Sequence, residues 1–319
     1  MPKHGQVKFT LLENGMDFIS SALEHLTEEA SKRTLKYAVL HLSAGIELVL
    51  KERLRQEHWA LVFADPDKAD SAAYEAGDFV SADLGSTLDR LAGICGVELE
   101  DNERRTLINF RKRRNRLEHF GTVDSFEAIV ASSVEALDIV VDFVTEELDP
   151  EQMSKTELEL LGKVRSRLGE LEAFVQKRLK SIKDVLKSET RTIATCPLCA
   201  QQALALDDVV ECHFCGQKTG AESAAEEFVT RILGESYYHV AKDGGEWPVA
   251  ACPECERESL VDTRHIGDTS PAVRYICFAC GGKWDDDALE QCSRCSRYMR
   301  ISDIGVCGEC FSAVVNRDD

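Results

Sequence analysis

Residues 104–121 read RRTLINFRKRRNRLEHFG, a basic stretch in an otherwise acidic chain. Seven lysine or arginine residues fall within thirteen positions, from Arg104 to Arg116. Side chains at spacings of three and four predict a helix whose buried edge is formed by Leu107, Phe110, Arg114 and Leu117. We expect Gly121 to end this helix. Arg114 and His119 then lie one to one and a half turns apart, close enough for both to contact one phosphate.

Composition limits what the rest of the chain can be. The 319 residues carry 44% hydrophobic and 30% charged side chains, which is typical of a folded protein of two or three domains. The formal charge of −19 argues against broad, nonspecific binding to nucleic acid, so any such contact must be local. There is no apolar run long enough to span a membrane and no signal-peptide pattern, so we expect a cytoplasmic protein without membrane contact.

Helical periodicity continues on both sides of the basic stretch. Residues 14–57 carry a stripe of apolar side chains at three-four spacing, and 84–94 and 129–148 predict two further helices, the second stopped near Pro150. The Asp- and Ala-rich residues 65–83 look like a loop. Glu47 and Lys51 have the spacing of an ion pair on a solvated helix flank. Residues 1–150 are therefore predicted to form an antiparallel helical bundle.

Residues 151–190 predict a long helical arm. Apolar residues recur at three or four from Leu161 to Leu186, on a surface dense in charged side chains. So narrow a stripe suits a helix that pairs with one partner, in the same chain or in another. We interpret this segment as an arm that joins two halves of the protein.

The last third of the chain is rich in cysteine. Twelve of the thirteen cysteines form six C-x-x-C pairs, whereas Cys95 stands apart. In a chain without a secretory signal, this spacing indicates metal binding. Two pairs supply the four thiolates of a tetrahedral zinc site. Pairing of neighbours predicts three structural zinc ions, with the ligand sets Cys196, Cys199, Cys212 and Cys215; Cys252, Cys255, Cys277 and Cys280; and Cys292, Cys295, Cys307 and Cys310.

Interleaved pairing of the last four C-x-x-C pairs is also compatible with the spacing. With local pairing, the chain is mostly α, with the bundle and the arm followed by three small β zinc ribbons at 191–220, 247–284 and 285–319. A short helix and a connector occupy 221–246. Four Cys ligands close the coordination shell, so the zinc is expected to be structural, and His213 a bystander.

Zinc ribbons serve as recognition surfaces for nucleic acid or for protein, and the sequence leaves both open. In the third ribbon, a basic and aromatic patch argues for nucleic acid, and three neighbouring aspartates, Asp285 to Asp287, oppose it. The patch consists of Arg294, Arg297, Tyr298 and Arg300.

The basic helix resembles a known motif. Arg114-Asn115-x-x-x-His119 is similar to the R-x(4–6)-H signature of the HEPN superfamily of ribonucleases, and residues 38–51 resemble the first long helix of HEPN domains. The two matches lie within residues 10–150. The resemblance implies a HEPN-like bundle with a metal-independent endoribonuclease activity. It also implies a homodimer whose two motifs face one cleft, and a role as a toxin or anti-phage defence effector.

The residue types suit that reaction. A histidine titrates near neutrality, so His119 can act as general base towards the RNA 2′-hydroxyl or as general acid towards the leaving oxygen. The planar fork of Arg114 can hold two phosphate oxygens, and Asn115 can orient either partner. The neighbouring basic residues are expected to contact the RNA backbone: Arg111, Lys112, Arg113 and Arg116.

Three alternatives remain at this point. Arg113 also lies within the permitted spacing of His119, so the choice of Arg114 depends on Asn115. Arg53-x-x-x-x-His58 has the same spacing, but it lacks the asparagine and lies outside the basic stretch. The chain could also be noncatalytic: either a protein that dimerises through its bundle and binds a protein partner at the ribbons, or a nucleic-acid adaptor. The charge of −19 favours the protein-binding version of this alternative.

Overall fold

The computed structural model describes residues 8–27, 29–120, 124–242, 244–264, 273–301 and 304–315. The chain divides into two compact units, Met1–Lys177 and Arg178–Asp319. The first is helical, and the second carries small antiparallel sheets around the cysteine clusters. The predicted fold class is thus confirmed. The division falls inside the predicted arm rather than at either end of it.

The helical unit consists mainly of long helices joined by short connections. Within the part of the chain that the structure describes, these are α1 (Leu11–His25), α2 (Lys32–Glu57), α3 (Ser71–Ala76), α4 (Leu84–Arg90), α5 (Asp101–His119), α6 (Phe126–Glu147) and α7 (Lys155–Ser188), which continues into the second unit. A π-helical turn, Leu91–Cys95, extends α4. Helix α2 contacts α1, α4, α5 and α6, so it is the central helix of the bundle.

Helices α1 and α2 form the tightest packing in the bundle. The helical pattern of residues 14–57 is broken after Leu26, and Ser31 begins α2 by accepting a hydrogen bond from the Thr34 amide at 3.2 Å. Gly45 and Gly15 lie where the two backbones approach each other. A Cβ atom added to Gly45 would lie 2.7 Å from the Gly15 carbonyl oxygen, so only glycine allows this approach.

Residues 65–83 correct one expectation. The segment was predicted to be a loop, but it contains a 3-10 turn, Pro66–Lys68, and the short helix α3. Its aspartates act as N-caps: Asp65, Asp70 and Asp83 each accept a hydrogen bond from a backbone amide at the start of a helical turn. Asp favours both loops and helix N-caps, so composition alone does not separate the two.

The apolar stripe of α7 packs within its own chain. Its buried residues in the helical unit include Leu161, Val164, Leu168, Leu171 and Val175. Phe174 makes an edge contact with Phe126 of α6, and Arg165 donates to the Thr145 hydroxyl at 2.6 Å. The partner that the narrow stripe predicted is therefore, for this part of the helix, the chain's own bundle.

The described residues of the second unit form three small antiparallel sheets. The first has the order β1 (Ile193–Thr195), β2 (Gln202–Ala205), β3 (Val209–Cys212) and β4 (Lys218–Gly220). The second has the order β5 (Val249–Ala251), β6 (Glu258–Asp262), β7 (Tyr275–Cys277) and β8 (Lys283–Trp284). The third pairs β9 (Leu289–Gln291) with β10 (Tyr298–Arg300).

Short helices accompany these sheets. Helix α8 (Ala221–Phe228) with its π-helical extension Val229–Leu233 occupies the predicted short-helix segment, and α9 (Tyr237–Lys242) and α10 (Gly308–Val315) follow. Phe228 packs against Phe278 with ring centroids 5.1 Å apart. Nowhere in the described ranges is there a helix both long enough and apolar enough to cross a membrane.

Candidate functional site

Helix α5 carries the candidate catalytic motif. It begins with a reciprocal capping arrangement in which the Glu103 carboxylate accepts a hydrogen bond from the Glu100 amide at 2.8 Å. It ends at His119, and the amide of Phe120 bonds to the carbonyl of Arg116. Gly121, the expected stop, lies outside the described residues. His119 is thus on the last turn of the helix, where its side chain is 63% exposed.

Arg113 departs from the predicted set of RNA contacts. Its side chain is only 4% exposed and lies 3.5 Å from the carboxylate of Asp124, which is 3% exposed. It also donates to the Ala128 carbonyl at 3.2 Å and to the Ser132 hydroxyl. The buried edge of α5 therefore passes through Leu107, Phe110 and Arg113, in steps of three, and not through Arg114 as predicted. Arg113 joins α5 to α6 and is not an exposed phosphate contact.

Arg114, Asn115 and His119 lie together around Glu118. One guanidinium nitrogen of Arg114 donates to the Asn115 side-chain oxygen at 2.9 Å and to Oε2 of Glu118 at 2.8 Å. Nε2 of His119 lies 3.9 Å from the same Oε2 atom. Arg114 is thus hydrogen-bonded to this carboxylate oxygen, whereas the His119 ring lies near the same oxygen at a distance too long for a hydrogen bond. The Arg114 side chain is 29% exposed, so it is partly open to solvent.

The opposite side of Arg114 faces helix α2. Its second terminal nitrogen lies 4.0 Å from Glu47, and Glu47 pairs with Lys51 at 3.7 Å. The predicted ion pair is confirmed, but its location is not a solvated flank, because Lys51 is buried and donates to the Ser81 hydroxyl at 3.1 Å. Burial lowers the pKa of Lys51, and the Glu47 carboxylate opposes that change. A charged network therefore connects the motif to the bundle interior.

The remaining residues of the predicted RNA-binding set are partly exposed. Arg111 lies 3.7 Å from Asp83, the N-cap of α4, and one third of its side chain is exposed to solvent. Lys112 and Arg116 are also neither fully buried nor fully exposed. These three side chains, unlike Arg113, have surface available to a ligand.

The alternative motif has a different geometry. Arg53 pairs with Glu57 at 3.1 Å, whereas the His58 ring accepts a hydrogen bond from the Ala60 amide at 3.2 Å. His58 is the C-cap of α2 and lies against the Trp59 ring. Arg53 and His58 thus have separate partners, while Arg114 and His119 share one. The geometry favours the second motif as the candidate site.

The twelve cysteines of the second unit form the three predicted local clusters. Within each cluster, the four sulfur atoms all lie within 4.8 Å of one another. Within a cluster, sulfur pairs that join its two C-x-x-C segments, such as Cys196–Cys215, Cys252–Cys280 and Cys295–Cys307, are 3.9, 3.8 and 3.7 Å apart. A disulfide needs about 2.05 Å, whereas tetrahedral coordination with metal–sulfur bonds of about 2.3 Å separates the sulfurs by about 3.8 Å. The clusters fit a metal ion, and local pairing is confirmed.

The backbone around the cysteines repeats one turn. In each of the six C-x-x-C segments, the backbone amide of the residue directly after the second cysteine donates to the carbonyl oxygen of the first cysteine. One of these amides belongs to Phe311 in helix α10, and the other five share a second feature. These amides belong to Ala200, Gly216, Glu256, Gly281 and Ser296, and the distances are 2.8–2.9 Å. All five residues have a positive φ, between 55° and 71°. The left-handed conformation of this residue turns the backbone around the cysteine sulfurs. Backbone amides also point at these sulfurs, as the Cys307 amide does at the Cys292 sulfur at 3.3 Å.

Other expectations about the ribbons have mixed outcomes. His213 bonds to Glu189 at 2.9 Å and belongs to none of the described metal clusters, so its interpretation as a bystander is consistent with the structure. In the basic patch, Arg297 pairs with Glu309 and Arg300 with Glu254, while Tyr298 packs against Tyr275 with centroids 5.2 Å apart. Much of the patch's positive charge is thus balanced within the chain, which weakens the case for nucleic-acid binding there.

Comparisons of the chain with protein-family models, with curated proteins and with solved structures found no match. The HEPN resemblance therefore stays a prediction that depends on the residues of α2 and α5.

Two features of the candidate site could not be found from spacing. Glu118, which links the motif arginine and histidine, is an ordinary surface glutamate in the sequence. The burial of Arg113 depends on Asp124 and Ser132, which come from the following turn and from α6. In the sequence, only the spacing of three between Leu107 and Phe110 pointed to this burial, because a further step of three reaches Arg113.

Proposed function

We propose that the helical unit is a metal-independent endoribonuclease of the HEPN type, with Arg114, Asn115 and His119 as its catalytic residues. The observation that supports this most strongly is the convergence of Arg114 and His119 on one oxygen of Glu118. An anionic oxygen already lies between the two side chains that would bind a scissile phosphate. A phosphate oxygen that replaced the carboxylate would accept a hydrogen bond from Arg114, with the His119 ring beside it.

The proposed reaction is an internal transesterification of RNA. A neutral histidine removes the proton of the 2′-hydroxyl, the 2′-oxygen attacks the adjacent phosphorus, and the bond to the 5′-oxygen breaks. A protonated histidine returns a proton to that leaving oxygen. Arg114 stabilises the additional negative charge on the phosphate oxygens, and its hydrogen bond from Nη1 to Asn115 keeps the guanidinium oriented. The products are a 2′,3′-cyclic phosphate and a 5′-hydroxyl.

A homodimer is part of the proposal. One histidine cannot be the base and the acid in the same step, whereas two protomers that face each other supply one of each. His119 is exposed on the last turn of α5 and is followed by Phe120, a large apolar side chain that is also exposed. Both features suit an interface at this end of the helix.

The basic residues near the motif would then hold the RNA strand. Arg111, Lys112 and Arg116 lie on the same helix as Arg114 and have solvent-accessible surface. Each would neutralise backbone phosphates rather than read bases. With this activity, the chain would serve as an RNA-targeting toxin or an anti-phage effector in the cytoplasm.

We further propose that zinc occupies the three cysteine clusters. Four thiolates and no open position suit a structural zinc ion, and sheets of two to five residues per strand bury too little apolar surface to fold without one. The ribbons would then recognise a partner molecule or regulate the nuclease, and a protein is the favoured partner. Elemental analysis of metal-replete protein should give three zinc ions per chain.

The test of the catalytic proposal is an RNA cleavage assay on a mixed RNA pool with EDTA present only during the reaction. Wild type should produce 2′,3′-cyclic phosphate ends, and His119→Ala should lower the rate by roughly a hundred- to ten-thousandfold. Arg114→Lys should also be damaging, because a point charge cannot reproduce the two-pronged contact of the guanidinium.

One observation favours a second candidate function. Arg114 is engaged by Glu118 at 2.8 Å and approached by Glu47 at 4.0 Å, so its charge is already balanced within the protomer. If these contacts are permanent, the bundle is a noncatalytic dimerisation domain and the ribbons carry the function. Full retention of dimerisation and partner binding, without cleavage of any RNA tested, would support this candidate.

A further inference from the structure

The ribbon unit contains a cleft that its metal sites do not explain. The cleft has a volume of about 560 Å³ and lies against strands β5, β6, β7 and β10 of the second and third sheets and against Glu235, helix α9 and residues 245–248. This size is within the range of about 300–1,000 Å³ that is typical of sites for small molecules and single side chains.

Three aromatic side chains line the cleft: Trp247, Tyr275 and Tyr298. The Trp247 indole N–H donates to both carboxylate oxygens of Glu226, at 3.1 and 2.9 Å, and its ring meets the edge of Tyr237 with centroids 5.6 Å apart. The orientation of the ring is therefore held from outside the cleft. Preorganised aromatic rings of this kind lose little conformational freedom when a ligand binds.

The charges around the cleft leave an excess of negative charge. Asp262 is neutralised by Arg264 at 2.5 Å and Arg274 at 3.4 Å. Glu246 also lines the cleft, but it bonds to the neutral amide of Gln291 at 3.0 Å. Glu226, behind the indole, likewise bonds to a neutral N–H group. A hydrogen bond to a neutral donor leaves the carboxylate charge in place, so these two glutamates keep the site anionic.

Tyr275, which lines the cleft, already makes the kind of contact that such a site favours. The guanidinium carbon of Arg274 lies 4.8 Å from the centroid of the Tyr275 ring. A guanidinium over an aromatic face is attracted by the electron-rich ring, and it is also less strongly hydrated than an ammonium ion. Trp247 is the best acceptor for such a cation among the aromatic residues.

We propose that this cleft binds an arginine side chain from an extended segment of a partner protein. The guanidinium would stack on Trp247 and pair with Glu246, while the aliphatic stem contacts Tyr298. RNA is the disfavoured ligand, because its phosphates would meet the carboxylate of Glu246 and the negative charge of Glu226 behind the indole. This inference assigns a ligand class to the ribbons and does not depend on the proposed nuclease activity of the bundle.

The test uses the full-length, zinc-loaded chain and four probes in isothermal titration calorimetry. The probes are the peptide acetyl-Gly-Ser-Arg-Ser-Gly-amide, the same peptide with citrulline in place of arginine, the same peptide with lysine, and a uridine hexamer. Citrulline keeps the shape of arginine and removes its charge. We expect the arginine peptide to bind at least about tenfold more tightly than the citrulline peptide, and the lysine peptide to bind with intermediate affinity.

Two variants locate the binding site, and one serves as a matched control. Trp247→Leu should weaken the arginine peptide at least about tenfold. Because that change could also loosen the fold, Glu246→Gln provides an isosteric variant on an exposed residue, with an expected loss of about three- to tenfold. Glu258→Gln removes the same charge from β6 outside the cleft lining and should leave affinity within about twofold.

Several results would overturn the proposal. The first is equal binding of the arginine and citrulline peptides, and the second is an equal effect of Glu246→Gln and Glu258→Gln on affinity for the arginine peptide. The third is no binding of the arginine peptide at about 5 mM, because a site with a dissociation constant of about 1 mM would be largely occupied at that concentration. Binding of the uridine hexamer that is lost in Trp247→Leu would instead assign the cleft to single-stranded nucleic acid.

Discussion

The two neighbouring arginines of α5 should differ strongly in how much their substitution destabilises the helical unit. Arg113→Met keeps an aliphatic stem but removes the charge that faces Asp124, whose side chain is 3% exposed. Removing one partner of a buried pair costs about 3–5 kcal/mol, because the other charge stays buried without compensation. The hydrogen bonds to the Ala128 carbonyl and the Ser132 hydroxyl are lost as well. We therefore expect a large destabilisation of the helical unit.

The matched variant is Arg114→Met, one position along the helix. The Arg114 side chain is 29% exposed, and exposed ion pairs contribute about 1 kcal/mol or less. For a unit of this size, 1 kcal/mol corresponds to about 2–4 °C in Tm. Thermal melts followed by circular dichroism at 222 nm should thus show a loss of about 6–20 °C for Arg113→Met and at most about 4 °C for Arg114→Met. If Arg113→Met melts within about 2 °C of wild type, Arg113 is not the buried link described above.

Three further predictions concern the bundle and the metal sites. Gly45→Ala places a Cβ atom 2.6 Å from Cγ1 of Ile19, so in thermal melts it should lower the free energy of unfolding by about 1–3 kcal/mol. The control Gly162→Ala, whose Cβ has no atom within 4 Å, should raise it by about 0.5–1 kcal/mol, and equal effects would argue against the close α1–α2 contact. Burial raises the pKa of Glu135 from 4.5 to about 7, against the attraction of Arg113, so the folded state holds a proton that the unfolded state has released. Stability should therefore fall as the pH rises from 4.5 to about 7 by more in wild type than in Glu135→Gln, and parallel profiles would contradict this assignment. Chelation should make residues beyond about 191 sensitive to limited proteolysis and leave the helical bundle protected, whereas simultaneous loss of both units would show that the bundle depends on metal. The variant Cys255→Ser should bind one metal ion fewer than wild type.

Much of the architecture follows from residue periodicity. The long helices were predictable because their apolar stripes continue for several turns, and the cysteine clusters because C-x-x-C spacing leaves few geometric alternatives. The Asp-rich segment 65–83 was not predictable, since the same aspartates that favour loops also cap the turns and short helices found there. Composition describes such a segment, but only the backbone shows which role each aspartate has.

The candidate site shows where spacing stops being informative. A pattern of threes and fours allows either Arg113 or Arg114 on the buried edge, and the choice is made by Asp124 and Ser132, which lie beyond the end of α5. The Glu47–Lys51 pair was predictable from its spacing, but its burial was not, because Ser81 reaches Lys51 from a distant part of the chain. Long-range polar partners of this kind have no local signature in the sequence.

The central claim is tested most directly by comparing the two R-x(4)-H motifs on one RNA pool. The measurement is the initial cleavage rate of three metal-replete proteins: wild type, His119→Ala and the double variant Arg53→Ala with His58→Ala. Our account predicts that His119→Ala loses roughly a hundred- to ten-thousandfold in rate and that the double variant stays near the wild-type rate. An inactive double variant beside an active His119→Ala protein would contradict the account and move the catalytic site to the end of α2.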